Sequence, residues 1–291
     1  MRLLTTTISR TAILFFCFLS SASAQKISTE KGLTTIEFTT VQGTVKVYLP
    51  EDIRPGDRVT GTIATEPAGN TDKEKRRSRE LLDKYRIGLE SDTFLTQVSP
   101  GQFICTVKGP ESILTFSGNG KAISRTKIPV QKTITQRTNF SIPDHILAAS
   151  PLRVNGPFDG NAENTRCLLN GNALQILAES PRQCILQIPE TSSGKASFSI
   201  TESGRQASKQ LSVVQLDIIP GRLLLTKGES THLDVSVSGL QGLSAPASLT
   251  IINTSTNTVE LIGGEAQKIT IQPNSVDQNG VFARRFDLKS V

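Results

Sequence analysis

Few residues in this sequence of 291 could carry chemistry, and they are scattered. The two histidines, His145 and His232, lie far apart, and neither belongs to a His-Glu-x-x-His pattern that would offer two imidazoles to one zinc ion. No Gly-x-Ser-x-Gly elbow presents a serine as a nucleophile. Gly118-Asn-Gly-Lys121 has the tail of a phosphate loop. However, its first glycine would fall at Thr115 and Ala122 stands where a metal-binding hydroxyl is needed, so it reads as a hairpin turn. Asp159, Asn161 and Glu163 alternate in the loop Asp159-Gly-Asn-Ala-Glu-Asn164, a set of hard oxygens that suits calcium. The glycine of a helix-loop-helix site is replaced by Asn164 and no bidentate glutamate follows, and Asx residues in such loops also make turns.

Lys73, Lys75, Arg76, Arg77 and Arg79 form a basic run that could dock an anionic glycan, a lipid headgroup or an acidic protein. Glu74, Glu80 and Asp83 dilute it. The spacings Arg76–Glu80 and Arg79–Asp83 favour a solvated helix with i,i+4 pairs worth roughly 0.3–0.5 kcal/mol each. The segment opens with a capping box, Thr71-Asp-Lys-Glu74, and Gly88 stands where a helix would stop, so a helix is expected near 71–87. Only Leu81, Leu82 and Tyr85 give it an apolar stripe, so its last turn should dock on a sheet.

The elements that must position these residues are strands. Val45, Val47 and Leu49 alternate with Lys46 and Tyr48; Phe103, Cys105 and Val107 form one face, as do Cys184, Leu186 and Ile188, Ala196, Phe198 and Ile200, and Leu233, Val235 and Val237. Short period-two runs bounded by Gly, Pro, Asn and Ser, without intervening helices, indicate all-β sandwiches or barrels rather than a parallel α/β sheet. We therefore expect tandem immunoglobulin-like β-sandwich domains with one short charged helix in the first. The boundaries divide the chain into a leader at 1–24, an N-terminal domain at 25–143, a middle domain at 144–214 and a C-terminal domain at 215–291. The last is short for a complete sandwich of about 100 residues and is expected to lack or borrow a strand.

The leader has three parts: Arg2 and Arg10, the apolar core Ala12 to Leu19, and Ala22-Ser23-Ala24, the small-residue pattern of a cleavage site. The apolar core is far shorter than the roughly 20 residues of a membrane span. Export with a mature start at Gln25 is expected, and no later stretch reads as transmembrane. The formal charge of +6 includes Arg2 and Arg10, and seven basic against four acidic residues between Asp72 and Arg86 hold much of the rest. That local basicity is not the broad basic face of a nucleic-acid binder.

Of the four cysteines, Cys17 belongs to the leader. Cys167 and Cys184 are close enough in sequence for a disulfide, which an oxidising compartment permits; such a bridge would contribute ~3 kcal/mol. The alternative is that these two and Cys105 are small buried apolar residues on strands.

The middle segment resembles an IPT/TIG domain, a small immunoglobulin-like sandwich. The resemblance rests on Pro151-Leu-Arg-Val-Asn-Gly156-Pro-Phe158-Asp-Gly160, on the glycine turn Leu168-Leu-Asn-Gly171, and on Cys184-Ile-Leu-Gln-Ile-Pro189 followed by Gly194. The chain departs from that family's pattern at Cys167, at Cys184 and at Leu177-Ala-Glu-Ser-Pro181. Val47 to Asp57, Glu66 to Gly69 and Val237 to Gly242 are similar to stretches of exported multi-β-domain proteins of the Bacteroidetes type. The first resemblance implies an adhesive, dimerising or spacer module; the second implies a secreted or surface protein, and neither implies a catalytic residue.

These readings lead to a secreted or cell-surface module for adhesion, ligand binding or scaffolding. It would use no cofactor and would have a protein or glycan partner. The competing class is a polysaccharide-acting enzyme or its accessory binding domain, which would need two carboxylates facing a groove. With no Trp and only Tyr48 and Tyr85, an aromatic platform for sugar rings is poorly supplied.

Overall fold

The computed structural model describes residues 25–291 except 41–42, 68, 70, 82–84, 90–95, 100, 110–111, 119–120, 131–138, 191–192, 223, 254–257 and 265. The described chain is all-β, with a single α-helix.

In the N-terminal unit a meander of β1 (Gln25–Glu30), β2 (Leu33–Thr40), β3 (Gly43–Pro50) and β4 (Arg58–Pro67) comes first. The helix α1 (Asp72–Arg79) follows, then β5 (Tyr85–Leu89), β6 (Thr96–Ser99), β7 (Gln102–Thr106), β8 (Ile113–Gly118) and β9 (Lys121–Lys127). β7 joins the far side of β4 and carries β6, while β5-β8-β9 make a second sheet. The alternation is realised: Val45, Val47 and Leu49 are buried while Lys46 and Tyr48 are half-buried. The two sheets close on Phe38 and Phe116, stacked with ring centroids 4.5 Å apart. Thr71 and Glu74 form the capping box reciprocally, Thr71 N donating to Glu74 Oε2 at 3.0 Å and Glu74 N to Thr71 Oγ1 at 3.3 Å. The helix ends earlier than its charge pattern suggests, because the chain is already strand at Tyr85. Leu81, fully buried, anchors the exit from the helix in the core.

The middle unit contains β10 (His145–Leu147), β11 (Pro151–Asn155), β12 (Thr165–Leu169), β13 (Asn172–Ala173), β14 (Gln175–Ser180), β15 (Gln183–Gln187), β16 (Gly194–Glu202) and β17 (Arg205–Pro220). One sheet runs β11-β15-β14; the other runs β13-β12-β16-β17, with β10 parallel on β17. Setting aside the two-residue β13, the second, fifth and fourth strands face the third, sixth and seventh, which is the immunoglobulin arrangement of two antiparallel sheets. Val154, Cys184 and Leu186 from one sheet meet Cys167, Phe198 and Ile200 from the other.

The boundary expected at 214/215 falls inside β17. This strand pairs with β16 as far as Val213 and with β18 (Ser230–Ser238) from Gln215 onward. The C-terminal unit thus takes its first strand from the end of β17. It adds β22 (Phe282–Ser290) and β20 (Val259–Leu261) beyond β18, and packs this sheet against the pair β19 (Ala247–Ile252) and β21 (Ala266–Ile271). Val235, Leu261, Ile269 and Phe286 form its core.

The N-terminal and middle units also share a sheet. Beyond Tyr48, which pairs with Thr62, β3 leaves the edge of β4. There β14 takes its place, with Glu179 in register with Thr60. Leu33, Leu177, Ala178 and Ile185 are buried in this seam, with Tyr48 packed against them. Polar groups close the rest. Ser180 Oγ donates to Asp52 Oδ1 at 2.6 Å, Gln183 Nε2 to Gly32 O at 3.1 Å and Arg182 Nη2 to Asp52 O at 2.6 Å. Arg182 also pairs with Asp57.

Candidate functional site

The chemistry-bearing groups that the fold brings together lie beside this seam. Asp159 in the β11–β12 loop, Glu179 on β14 and Glu202 at the end of β16 place carboxylate oxygens within 4.8 Å of one another. A bulge in β14 aims Glu179. The register against β15 shifts between Ile176 and Ala178. Without that extra residue Glu179 would share a face with Leu177, in the seam; with it, the side chain turns toward the middle unit's core, opposite Cys184.

Glu179 and Glu202 are almost completely buried, 0% and 1% exposed, whereas Asp159 is exposed. Glu202 is well satisfied: Oε1 accepts from the Asp159 backbone N–H at 3.0 Å, and Oε2 accepts from the Thr165 hydroxyl in a short hydrogen bond. Neither carboxylate oxygen of Glu179 has a hydrogen-bond partner. Burial, reinforced by the charges of Glu202 and Asp159, pushes the Glu179 carboxyl up to about 8, against the pull of the Thr165 hydroxyl. Burial also raises the Glu202 pKa, with Asp159's charge adding to it and Thr165 opposing.

Of the two carboxylates among the loop residues read as hard-cation ligands, Asp159 belongs to this cluster and Glu163 does not. Asp159 Oδ1 accepts from Asn161 N at 2.7 Å and its Oδ2 from Asn164 Nδ2 at 2.5 Å. Asn161 caps a short 3-10 turn by accepting from Glu163 N, and Glu163 is exposed. Glu179 and Glu202 are not apparent from the chain because they are distant in sequence from Asp159, and only the packing of the two sheets that carry β14 and β16 brings them there. The one available signal was the odd Leu177–Pro181 stretch, a charged residue inside a strand.

In the basic run, Lys73 and Arg76 are exposed and Arg76 Nε lies 3.7 Å from Glu80. The side chains of Lys75, Arg77 and Arg79 lie outside the described residues, as do Leu82 and Asp83. Gly118 pairs with Lys121 and closes a two-residue hairpin. His145 sits exposed on β10, and His232 on β18 lies 3.5 Å from Asp234. Cys105, Cys167 and Cys184 are buried thiols. Burial pushes Cys105 up to about 12. Cys167 on β12 and Cys184 on β15 face the same core from opposite sheets; burial first, then Cys167, raises the Cys184 pKa well above its ordinary value.

A groove of about 560 Å³ lies where the middle and C-terminal units meet. Its wall is aliphatic, from Leu147, Leu216, Leu240, Leu249 and Ile271, with His145 at the rim. No helix among the described residues is long and apolar enough to cross a membrane.

No family model and no curated protein sequence matches the chain. Solved structures give distant likenesses. One is the Bacteroides ovatus mixed-linkage glucan utilization locus protein SGBP-B, in complex with a mixed-linkage heptasaccharide. It is 13% identical, covering 90% of this chain and 82% of that one, with a TM-score of 0.27. A three-domain titin tandem is 13% identical, covering 86% and 89%, with a TM-score of 0.24. The N-terminal four Ig domains of a Dscam1 isoform are 11% identical, covering 89% and 78%, with a TM-score of 0.21. The immunoglobulin-like assignment rests on the strand pairing described above.

Proposed function

We propose that the chain is a secreted or cell-surface module that holds a glycan or protein partner on a stiff tandem of β-sandwiches and catalyses no reaction. The observation that carries this reading is the sealing of the carboxyl pair. A glycosidase needs its acid and its nucleophile or base open to a sugar-binding groove. Glu179 and Glu202, the buried pair the fold assembles, are closed off from solvent. The stiffness rests on backbone pairing at both junctions, β4 with β14 and β17 shared by two sandwiches. Within this reading the middle unit is an IPT/TIG-like spacer, and the leader at 1–24 exports the chain.

The test incubates the full chain with soluble polysaccharides, mixed-linkage glucan among them, and with isolated cell-surface protein. It follows both retention and the appearance of new reducing ends. Retention on a polysaccharide or a surface protein without new reducing ends is expected. Reducing ends that accumulate with time and disappear in Glu179→Gln would overturn the non-catalytic reading.

A further inference from the structure

We propose that Asp159, Glu179 and Glu202 form a calcium site at the seam of the N-terminal and middle units. Three carboxylates within 4.8 Å match the span of one cation whose oxygen ligands sit about 2.4 Å away. The second observation belongs to Glu179. Its carboxyl is completely buried, and neither oxygen is engaged in a hydrogen bond of normal geometry, the Thr165 hydroxyl being given to Glu202. A buried carboxylate in that condition costs several kcal/mol unless it takes up a proton or a cation. Among the described residues the groups acting on it are Thr165, Glu202, Asp159 and Cys184, none of them a Lys or Arg. A proton would satisfy one oxygen of one residue, whereas a divalent cation would neutralise all three together.

The donor set is all oxygen, which selects calcium, magnesium or manganese over zinc or copper. Magnesium keeps several waters and demands a near-ideal octahedron, while calcium accepts irregular carboxylate shells. This cluster is closed on the Glu179 and Glu202 side and open at Asp159, which leaves one face for entry.

A cation here would do structural work. The Asp159 loop is already pinned to the N-terminal unit. Thr60 Oγ1 donates to Gly160 O at 3.0 Å and accepts from Ala162 N at 3.1 Å. Calcium would tie that loop to β14 and β16 at the point where β14 pairs with β4. The inference stands apart from the partner-binding reading, since no partner is needed to test it.

The experiment measures calorimetric binding of CaCl2 to the full mature chain after EGTA treatment, together with unfolding midpoints in calcium, magnesium and EGTA. One calcium per chain is expected. At about a hundred times its Kd, calcium should raise the midpoint by roughly 5–10 °C over EGTA. Glu179→Gln keeps the shape of the protonated side chain. Asp159→Asn, at an exposed position, retains a side-chain oxygen for the turn and serves should the first variant fail to fold. Each should lose most of the calcium response while unfolding cooperatively in EGTA. No heat of binding with superimposable midpoints in calcium and EGTA would overturn the site, and so would a full calcium response in Asp159→Asn. An equal response to magnesium would overturn the assignment to calcium.

Discussion

Glu179 of the middle sandwich lies in register with Thr60 of the N-terminal one, and through that pair two units become one sheet. Thr60 at the same time bonds the Asp159 loop through its hydroxyl. One strand edge thus sets both the relative placement of two sandwiches and the assembly of a buried acidic cluster. The module boundary near Ile142 and Pro143 is a boundary in chain order, while the packing crosses it.

Gly160 tests how tightly the loop is seated. It has φ +76°, and a Cβ there would come within 1.9 Å of the Arg58 carbonyl oxygen. Gly160→Ala should therefore cost roughly 3 kcal/mol, combining left-handed strain with a clash against backbone. Gly204→Ala provides the contrast: φ is +84° with nothing within 4 Å, so about 1 kcal/mol of strain alone is expected. Urea unfolding of both variants gives the comparison, and equal costs would show that the loop does not press on Arg58.

Arg182 tests the polar half of the seam. It is 7% exposed and lies between Asp52 and Asp57. Removing one partner of a buried pair leaves the other uncompensated, typically at 3–5 kcal/mol. The Asp52 pKa is already raised by burial, against the pull of Ser180 and Arg182. Arg182→Ala should lift it further and make the variant progressively less stable as pH rises above the ordinary carboxylate range. A loss below 1 kcal/mol at neutral pH would mean that the units do not depend on this network.

In EGTA, Glu179 should dominate the alkaline behaviour. Its ordinary pKa of 4.5 becomes about 8 in the folded chain, where Glu202, Asp159, Thr165 and Cys184 face it. Between those values the folded state binds the extra proton. The group's contribution is thus fully present below about pH 4.5 and is lost as pH rises through 8, a loss on the order of a few kcal/mol. Glu179→Gln should flatten that part of the stability–pH curve. An unchanged slope in the variant would assign the titration to another group.

Cys167 and Cys184 face one core from opposite sheets, so we propose that oxidative refolding links them and leaves Cys105 as the one titratable thiol of residues 25–291. The bridge should contribute ~3 kcal/mol. Three thiols per chain after oxidation would show that the facing pair cannot reach bridging geometry.

The local features could be read from the chain because they are local. The faces built on Val45, Phe103, Cys184 and Val235 follow from period-two alternation, and the reciprocal Thr71–Glu74 cap follows from two residue types at the right spacing. The end of the helix could not be read this way. Its charges run on to Arg86, but pairing of Tyr85 with Gly118 claims the chain for a sheet. The acidic cluster was hidden for a different reason. It depends on a one-residue bulge between Ile176 and Ala178 and on strands that meet only after folding. The short C-terminal stretch implied a missing or borrowed strand, but not that β17 supplies it, since no glycine or proline marks the point at 214 where one sandwich hands the strand to the next.

The stiffness of the tandem is tested most directly by one spin–spin distance across it. Nitroxides placed through Thr39→Cys on β2 and Lys268→Cys on β21, both exposed, report on the two outer units, while the native thiols stay buried. Pulsed dipolar spectroscopy of the chain from Gln25 onward should give a single narrow distance distribution. A broad or multimodal distribution would show that the sandwiches move independently, and the shared strands could not then serve as the rigid support proposed here.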